Sequence, residues 1–202
     1  MTKILGLTGG IATGKSTVSK IFAKHDIPIV DGDIIAREIV EPGKPALAAL
    51  VQAFGEGILQ TDGSLDRKQL GNIVFHDDQK RQLMNQTLNQ YLRQAINQAI
   101  ANQVAQQVPL VVVDLPLMYE GHYDRYMDEV MVVYVPEAVQ QERLQVRDQL
   151  SREEAAKRIN SQMPIEEKKA RADWVIDNQG TREETKFQVE NWLKTKTAVE
   201  PS

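Results

Sequence analysis

Residues 9–16 read GGIATGKS and match the pattern Gly-x-x-x-x-Gly-Lys-Ser/Thr over its whole length. The apolar run ILGLT (4–8) precedes this pattern, and the helical stretch KSTVSKIFAKH (15–25) follows its second glycine. Glycines let backbone N–H groups converge on phosphate oxygens, and the start of the helix adds its positive dipole end. The sequence therefore predicts a strand, a phosphate-binding loop and a helix in succession, as in a parallel α/β sheet.

Other short, β-branched apolar stretches indicate further strands that are buried on both faces. They lie at 27–30, 110–114, 130–135 and, more weakly, 174–177. Because helical patterns separate them, we expect a three-layer α/β fold with a parallel, five-stranded sheet. Capping boxes at Ser151 with Glu154 and at Thr181 with Glu184 predict the starts of two later helices.

The 202 residues predict a single domain with three parts. Residues 1–41, 105–137 and 172–202 form the nucleotide-binding core. Residues 42–104 contain turn signals and helical patterns but no convincing strand, which indicates a helical insertion on the sheet. Residues 138–171 are densely charged and should add little to a core, so they are either a helical lid over a ligand or a solvated helical hairpin.

Composition excludes several classes of function. The net charge of −4 and a pI near 5.5 provide no basic surface for nucleic acid. Cysteine is absent, which excludes disulfides and thiolate zinc sites and fits a reducing, cytoplasmic setting. No apolar run approaches the roughly 18 residues needed to cross a bilayer. We therefore expect a soluble protein without a membrane or obligate protein partner.

The loop residues have distinct expected roles in binding ATP. The backbone of Gly10, Ile11, Ala12, Thr13 and Gly14 should surround the phosphates. We expect Lys15 to bridge the β- and γ-phosphates of ATP. The hydroxyl of Ser16 should bind Mg²⁺, and Thr17 should reach the α-phosphate. These roles define an ATP–Mg²⁺ site.

Other sequence motifs distinguish among the classes of protein that share such a loop. The guanine-reading motif N-K-x-D does not occur, which argues against a GTPase. Asp114 ends the run LVVVD without the adjacent glutamate that is typical of motor ATPases. At the carboxyl end of a strand, Asp114 either lies in the second shell of the metal or caps the following turn.

Asp31-Gly32-Asp33 follows the second predicted strand, at the sheet edge where ATP is expected. Transfer to an alcohol needs a group that accepts the hydroxyl proton, and we predict Asp33 as this base with Asp31 in support. On an extended segment the two carboxylates would face the same way. The alternative for Asp33 is a helix N-cap. Arg37, one turn later, would hold an anionic part of the acceptor or form a surface ion pair.

Arg143 and Arg147 lie four residues apart and share a helix face in the charged segment. Either could reach the γ-phosphate as its charge redistributes. We favour Arg147, which is closer to the expected mobile end.

Several blocks together resemble the dephospho-coenzyme A kinase family over nearly the whole chain. They are LTGGIATGKST (7–17), VDGDIIAREIVEPGKPAL (30–47), FGEGIL, DGSLDRKQL and IVF (within 54–75), DLPLMYE (114–120), QERLQVR (141–147) and ADWVIDNQG (172–180). The resemblance implies a P-loop kinase fold in which ATP phosphorylates the ribose 3′-hydroxyl of dephospho-coenzyme A near Asp33. It also implies a lid beside the core, and a helical acceptor-binding lobe that corresponds to residues 42–104. Further implications are acceptor contacts from Leu117 and Glu120, and an adenine site beside Asn178 and Gly180.

Two positions depart from the family pattern. Ala12 replaces a frequent glycine, and its backbone would be strained at positive φ. Many members of the family have Leu-His-Pro where this chain has Leu88-Asn89-Gln90. An acceptor contact made by that histidine in the family therefore cannot be assigned to this chain.

Two alternative functions share the same ATP site. One is another P-loop kinase for a nucleotide or a small alcohol, which would differ in residues 42–104. The other is a module that binds ATP as a sensor without turning it over. Lys15, Ser16 and Asp33 would be superfluous in such a sensor.

Overall fold

The computed structural model describes residues 1–75 and 77–197. They divide into two compact units, one of Met1–Val30 with the residues from Gln103 onward, and one of Asp31–Asn102. The predicted core segment 172–202 extends into residues 198–202, which lie outside the described residues. The division into core, insertion and lid stays a prediction.

The strands form a parallel sheet with helices on both sides, which confirms the predicted α/β fold. In the described residues the strands are β1 (Lys3–Gly9), β2 (Ile29–Asp31), β3 (Leu110–Asp114), β4 (Glu129–Tyr134) and β5 (Trp174–Asp177). Their order across the five-stranded sheet is β2-β3-β1-β4-β5. In this order β1, which leads into the phosphate loop, lies between β3 and β4. The loop therefore begins at the centre of the sheet.

The described helices are α1 (Lys15–Lys24), α2 (Gly32–Glu38), α3 (Pro45–Phe54), α4 (Arg67–Phe75), α5 (Asp78–Ala105), α6 (Glu137–Asp148), α7 (Arg152–Asn160), α8 (Ile165–Arg171) and α9 (Arg182–Thr197). Both predicted capping boxes are confirmed, because Glu154 N–H donates to Ser151 Oγ and Glu184 N–H donates to Thr181 Oγ1, each at 3.2 Å. Across residues 1–75 and 77–197, no helix combines the length and the apolarity needed to span a bilayer.

Several predicted boundaries differ from the structure by one or two residues. The second strand begins at Ile29 rather than at Ile27, because Ile27 N–H donates to Phe22 O and closes the turn after α1 (3.3 Å). The Gln-rich stretch from Asp78 to Gln107 has a helical pattern throughout, but α5 ends at Ala105, since Gln107 has a φ of 57° and leaves the helical conformation.

The main core of the first unit lies between the sheet and the helices α1 and α9. Buried Leu5, Leu7 and Met131 of the sheet pack in the same cluster as Phe22 of α1 and Trp192 of α9. The two rings meet edge to face with centroids 5.7 Å apart. This packing gives the start of α1, where the phosphate loop ends, a rigid support.

A small core lies within the charged segment, for which composition predicts little contribution to a core. Leu144 of α6 and Ala155 and Ile159 of α7 are buried together, and Ile11 and Ala12 of the phosphate loop pack against them. Ala155 and Ile159 are four residues apart on one helix face, which allows a highly charged helix to bury a narrow apolar stripe.

The second unit has its own core from α3, α4 and the turns between them. Leu47, Leu50, Ile58 and Leu70 are among its buried residues. Asn89 and Gln90 lie inside the continuous helix α5. A proline at position 90 would remove a helical hydrogen bond and kink the helix, so the departure from Leu-His-Pro suits an unbroken helix here.

A charge cluster at the amino end of β4 makes the stability of the first unit depend on pH. Glu129 accepts hydrogen bonds from Lys3 (2.8 Å), Lys196 (2.9 Å) and Trp174 Nε1 (2.9 Å). Burial raises the pKa of Glu129, but these hydrogen bonds outweigh it and hold the pKa below the ordinary value of 4.5.

We expect Glu129→Gln to lower the free energy of unfolding by about 1 kcal/mol at pH 7. Because the folded pKa is depressed, this stability is fully present above the unfolded pKa and is lost as the pH falls through the folded value. Urea unfolding at pH 7 and below pH 4 should show the difference at the higher pH and its disappearance at the lower one. Glu142→Gln, at an exposed position in the interior of α6, is the control and should have little effect at either pH.

Candidate active site

The phosphate loop leaves β1 at Gly9 and leads into helix α1, which begins at Lys15. Ala12 and Gly14 have positive φ angles of 61° and 89°. Thr13 is buried, and its hydroxyl donates to Gly10 O at 2.9 Å, which closes the loop on itself. Among the described residues no side chain caps α1, so the N–H groups of Lys15 and Ser16 are available to phosphate oxygens, whereas Thr17 N–H donates to Gly14 O at 2.9 Å.

Ala12 is the strained position of this loop, because an L-residue at positive φ costs roughly 1–2 kcal/mol. We expect Ala12→Gly to raise the free energy of unfolding by about 0.5–1 kcal/mol after the greater entropy of unfolded glycine is subtracted. Urea unfolding measures the change. Ala23→Gly, at an exposed site in α1, should lower stability by a similar amount, and a loss of stability in both variants would contradict strain at Ala12.

Lys15 and Asp114 form a nearly buried ion pair. Lys15 is the first residue of α1, and its Nζ donates to Asp114 Oδ1 at the carboxyl end of β3. The exposed fractions of the two side chains are 17% and 4%. The structure thus brings together the predicted phosphate-binding lysine and the predicted metal-associated carboxylate.

Ser16 and Asp114 offer the hard oxygen donors that Mg²⁺ prefers. The Ser16 side chain is exposed at the start of α1. Within the described part of the chain, no group of three or more His, Cys, Asp or Glu residues could hold a metal by itself. Where Mg²⁺ binds together with phosphate groups, one or two protein ligands usually hold it and the phosphates supply further oxygens. The two donors Ser16 and Asp114 therefore fit the ion.

Two glutamines from the charged segment bind the backbone of Ile11. Gln140 Nε2 of α6 donates to Ile11 O at 2.8 Å, and Ile11 N–H donates to Gln162 Oε1 at 2.9 Å. A Cβ at Gly10 would collide with Gln140 Nε2 and displace this amide from Ile11 O, so glycine suits the close approach of this side chain. The charged segment therefore holds the phosphate loop directly.

Asn178 supports the other side of the loop. Its buried side chain donates to Thr13 O at 2.7 Å and accepts from Thr185 Oγ1 at 2.6 Å. A Cβ at Gly14 would occupy the space of Asn178 Nδ2. Arg143 Nη2 donates to Asn178 O at 2.8 Å, which joins α6 to the turn after β5. Gly180 follows in this turn and is exposed.

Arg147 points to an acidic neighbour in this structure. Its Nε donates to Asp148 Oδ1 at 2.8 Å and its Nη2 donates to Asp148 Oδ2 at 3.1 Å. The hydrogen bonds to Asp148 raise the pKa of Arg147. Arg158 binds the same carboxylate at 2.9 Å. A role at the γ-phosphate would require Arg147 to leave this pair.

Asp31 and Asp33 lie in different local structures, so the prediction that they share a face of an extended segment is wrong. Asp31 ends β2 and is the N-cap of α2, since its Oδ1 accepts from Asp33 N–H (2.8 Å) and Ile34 N–H (3.1 Å). Asp33 lies in the first turn of α2 and is exposed. The N-cap alternative therefore applies to Asp31 rather than to Asp33, whose carboxylate is left exposed to solvent.

The remaining predicted substrate residues differ in exposure. Arg37 is exposed in α2, and its carbonyl accepts from Arg67 at 3.2 Å. Leu117 is exposed and follows β3. Glu120 Oε1 accepts from Met163 N–H at 2.9 Å, while Glu120 Oε2 is buried without a hydrogen-bond partner among the described residues. An unpaired buried carboxylate oxygen is costly in the absence of a ligand.

Comparison with known proteins identifies the family. The model of the family described as Dephospho-CoA kinase matches residues 3–184. The chain belongs to the dephospho-CoA kinase family. A dephospho-CoA kinase from Enterococcus faecalis is 60% identical over 194 residues, which cover 96% of this chain and 97% of that protein. The family resemblance seen in the sequence is confirmed.

Solved structures agree with membership of the dephospho-CoA kinase family. A dephospho-CoA kinase from Campylobacter jejuni has a TM-score of 0.75 at 27% identity and covers 96% of each chain. The protein TT1252 from Thermus thermophilus has a TM-score of 0.77 at 29% identity, covering 100% of this chain and 99% of that one. The chain is therefore a kinase with ATP as its phosphoryl donor.

Sequence reasoning missed the residues that support the phosphate loop in this member of the dephospho-CoA kinase family. They are Gln140, Gln162, Lys168 and Thr185. A signal existed for Lys168, which lies three residues after Ile165 on the buried face of α8. A lysine at an apolar position of a helical repeat indicates a buried charge with partners.

Proposed function

We propose that this chain transfers the γ-phosphoryl group of ATP to the ribose 3′-hydroxyl of dephospho-coenzyme A, giving coenzyme A and ADP in the last step of coenzyme A biosynthesis. The observation that carries the proposal is the family match over residues 3–184, which includes the intact phosphate loop with its Lys15–Asp114 pair. Membership of the family supports both substrates.

On the donor side, the proposed role of Lys15 is to exchange Asp114 for the β- and γ-phosphates when ATP binds. The backbone of residues 10–14 and the side chain of Thr17 would bind the remaining phosphate oxygens, and for this Ile11 N–H would have to exchange Gln162 Oε1 for a phosphate oxygen. Ser16 would hold Mg²⁺ directly, with Asp114 in its second shell. When bound, Mg²⁺ supplies positive charge that stabilises the triphosphate.

On the acceptor side, Asp33 is the proposed base. It would accept the proton of the ribose hydroxyl as the oxygen attacks phosphorus. Asp31 supports it by capping α2, which fixes the turn that carries Asp33. Arg37 would bind an anionic group of the acceptor. Leu117 and the unpaired Oε2 of Glu120 are the proposed acceptor contacts after β3.

The charged segment is the proposed lid. Arg143 and Arg147 would approach the phosphates, and Arg147 would stabilise the charge that develops during transfer. The turn with Asn178 and Gly180 would lie beside the adenine. Cytoplasmic location and the lack of a nucleic-acid partner are also part of the proposal, and the net charge of −4 supports the second point.

An acceptor screen tests this function. Purified protein with Mg²⁺ and ATP should release ADP rapidly with dephospho-coenzyme A and hardly at all with AMP, CMP, uridine or shikimate. Equal rates with several acceptors would favour another P-loop kinase. ATP binding without turnover of any acceptor would favour the ATP sensor.

A further inference from the structure

Lys168 of α8 is a fully buried lysine within the first unit. Its Nζ donates to Pro116 O at 2.8 Å and to Gly9 O at 3.4 Å, and it forms an ion pair with Glu120 Oε1 at 2.9 Å. Removing an ammonium from water costs several kcal/mol, so the side chain stays buried only because these oxygens hold it. Its position is therefore closely defined.

The partners of Lys168 belong to the two strand ends that form the donor site. Gly9 ends β1 and leads into the phosphate loop. Pro116 lies two residues after Asp114, which ends β3, and its carbonyl also accepts from Thr8 Oγ1 at 3.2 Å. The ammonium thus joins the backbone before the loop to the backbone after Asp114, so it restrains both sides of the Lys15–Asp114 pair.

Glu120 links this arrangement to the start of α8. Its Oε1 also accepts from Met163 N–H at 2.9 Å. Burial lowers the pKa of Lys168, and Glu120 acts in the opposite direction. Since Glu120 Oε2 is buried and has no hydrogen-bond partner in the described part of the chain, loss of the ammonium would leave a partly buried carboxylate without a counter-charge.

We propose that Lys168 is a positioning residue for phosphoryl transfer, which fixes the carbonyls of Gly9 and Pro116 and thereby the phosphate loop relative to Asp114. It acts through these backbone groups and through Glu120, without touching ATP or the acceptor. The proposal rests on the proposed kinase reaction. It differs from a structural role, in which Lys168 would serve to neutralise Glu120.

The test separates these roles by comparing Lys168→Met with the native lysine in a Glu120→Gln background. The glutamine introduced by Glu120→Gln is neutral and can still accept from Met163 N–H, so the double variant contains no unpaired buried charge. The single Glu120→Gln variant keeps the Lys168 ammonium without its counter-charge, so it should be less stable than the native protein, and the double variant should be at least as stable as the single one. Urea unfolding checks that both proteins are folded before their activities are compared.

In this background, Lys168→Met should lower kcat by roughly 10–100-fold, as expected for loss of a group that orients the reacting residues. The affinity for ATP, measured by calorimetry without acceptor, should fall by roughly 3–10-fold because the loop backbone binds the phosphates. This second readout does not depend on the identity of the acceptor.

Lys169→Met is the matched control. It removes the same charge from the neighbouring, exposed position of α8, where the ammonium lies over the Tyr134 ring at 3.8 Å. Its kcat and ATP affinity should equal those of the native protein. If the double variant matches Glu120→Gln in both kcat and ATP affinity, the positioning role is wrong. A native enzyme inactive on dephospho-coenzyme A would instead contradict the proposed function, and the ATP affinities would still test Lys168.

Discussion

Lys15→Met is expected to lower kcat by roughly 10²–10³-fold and to weaken ATP binding, because it removes a preorganised positive charge from the triphosphate. Methionine retains most of the length of the side chain, so the change tests charge rather than packing. Steady-state kinetics with dephospho-coenzyme A and calorimetry with ATP measure the two effects. The variant also leaves Asp114 without its lysine, so urea unfolding should show reduced stability.

The matched control is Lys20→Met, which removes an exposed lysine from the same helix α1. Its kcat and ATP affinity should equal those of the native protein. Unchanged ATP affinity in Lys15→Met would contradict the assignment of Lys15 to the triphosphate. Equal losses in both variants would mean that the general charge of α1, rather than this position, matters.

Asp33→Asn should lower kcat by roughly 10²–10⁴-fold with little change in ATP affinity, since it removes a general base and leaves the donor site intact. Asparagine is nearly isosteric but cannot accept the proton of the acceptor hydroxyl. The helix should persist because Asp31, rather than Asp33, caps it. Loss of one carboxylate from the first turn should cost less than about 1 kcal/mol of stability.

Glu38→Gln is the control for Asp33, because it removes an exposed carboxylate from the other end of α2. Its rate should remain that of the native enzyme. An Asp33→Asn variant with full activity would show that another group accepts the proton. A large loss of ATP affinity in that variant would assign Asp33 to the donor rather than to the acceptor.

Much of the fold could be predicted because its strands are continuous apolar runs. The strands at 110–114 and 174–177 have the predicted bounds, and the loop pattern predicts the start of α1. The start of β2 could not be predicted, because Ile27 looks like a strand residue and is held by Phe22 O after α1. Local composition does not encode such a contact.

Site residues could be predicted where a sequence motif defines their role, as at Lys15. They were harder to predict where tertiary contacts determine the role. The pairing of Lys15 with Asp114 joins residues 99 positions apart. Gln140 looks like a solvated helix residue but is buried against Ile11. Such roles depend on which helix packs against the phosphate loop. Sequence periodicity predicts which face of a helix is buried, but it does not predict the element against which that face packs.

The hydrogen bond from Ile11 N–H to Gln162 makes this backbone amide a natural reporter of motion. Its hydrogen can exchange with deuterium in the solvent only when the glutamine oxygen leaves. The rate of hydrogen exchange at this one amide therefore measures how often residues 138–171 separate from the phosphate loop. Mass spectrometry or NMR could follow that opening, with and without ATP, in the unmodified protein.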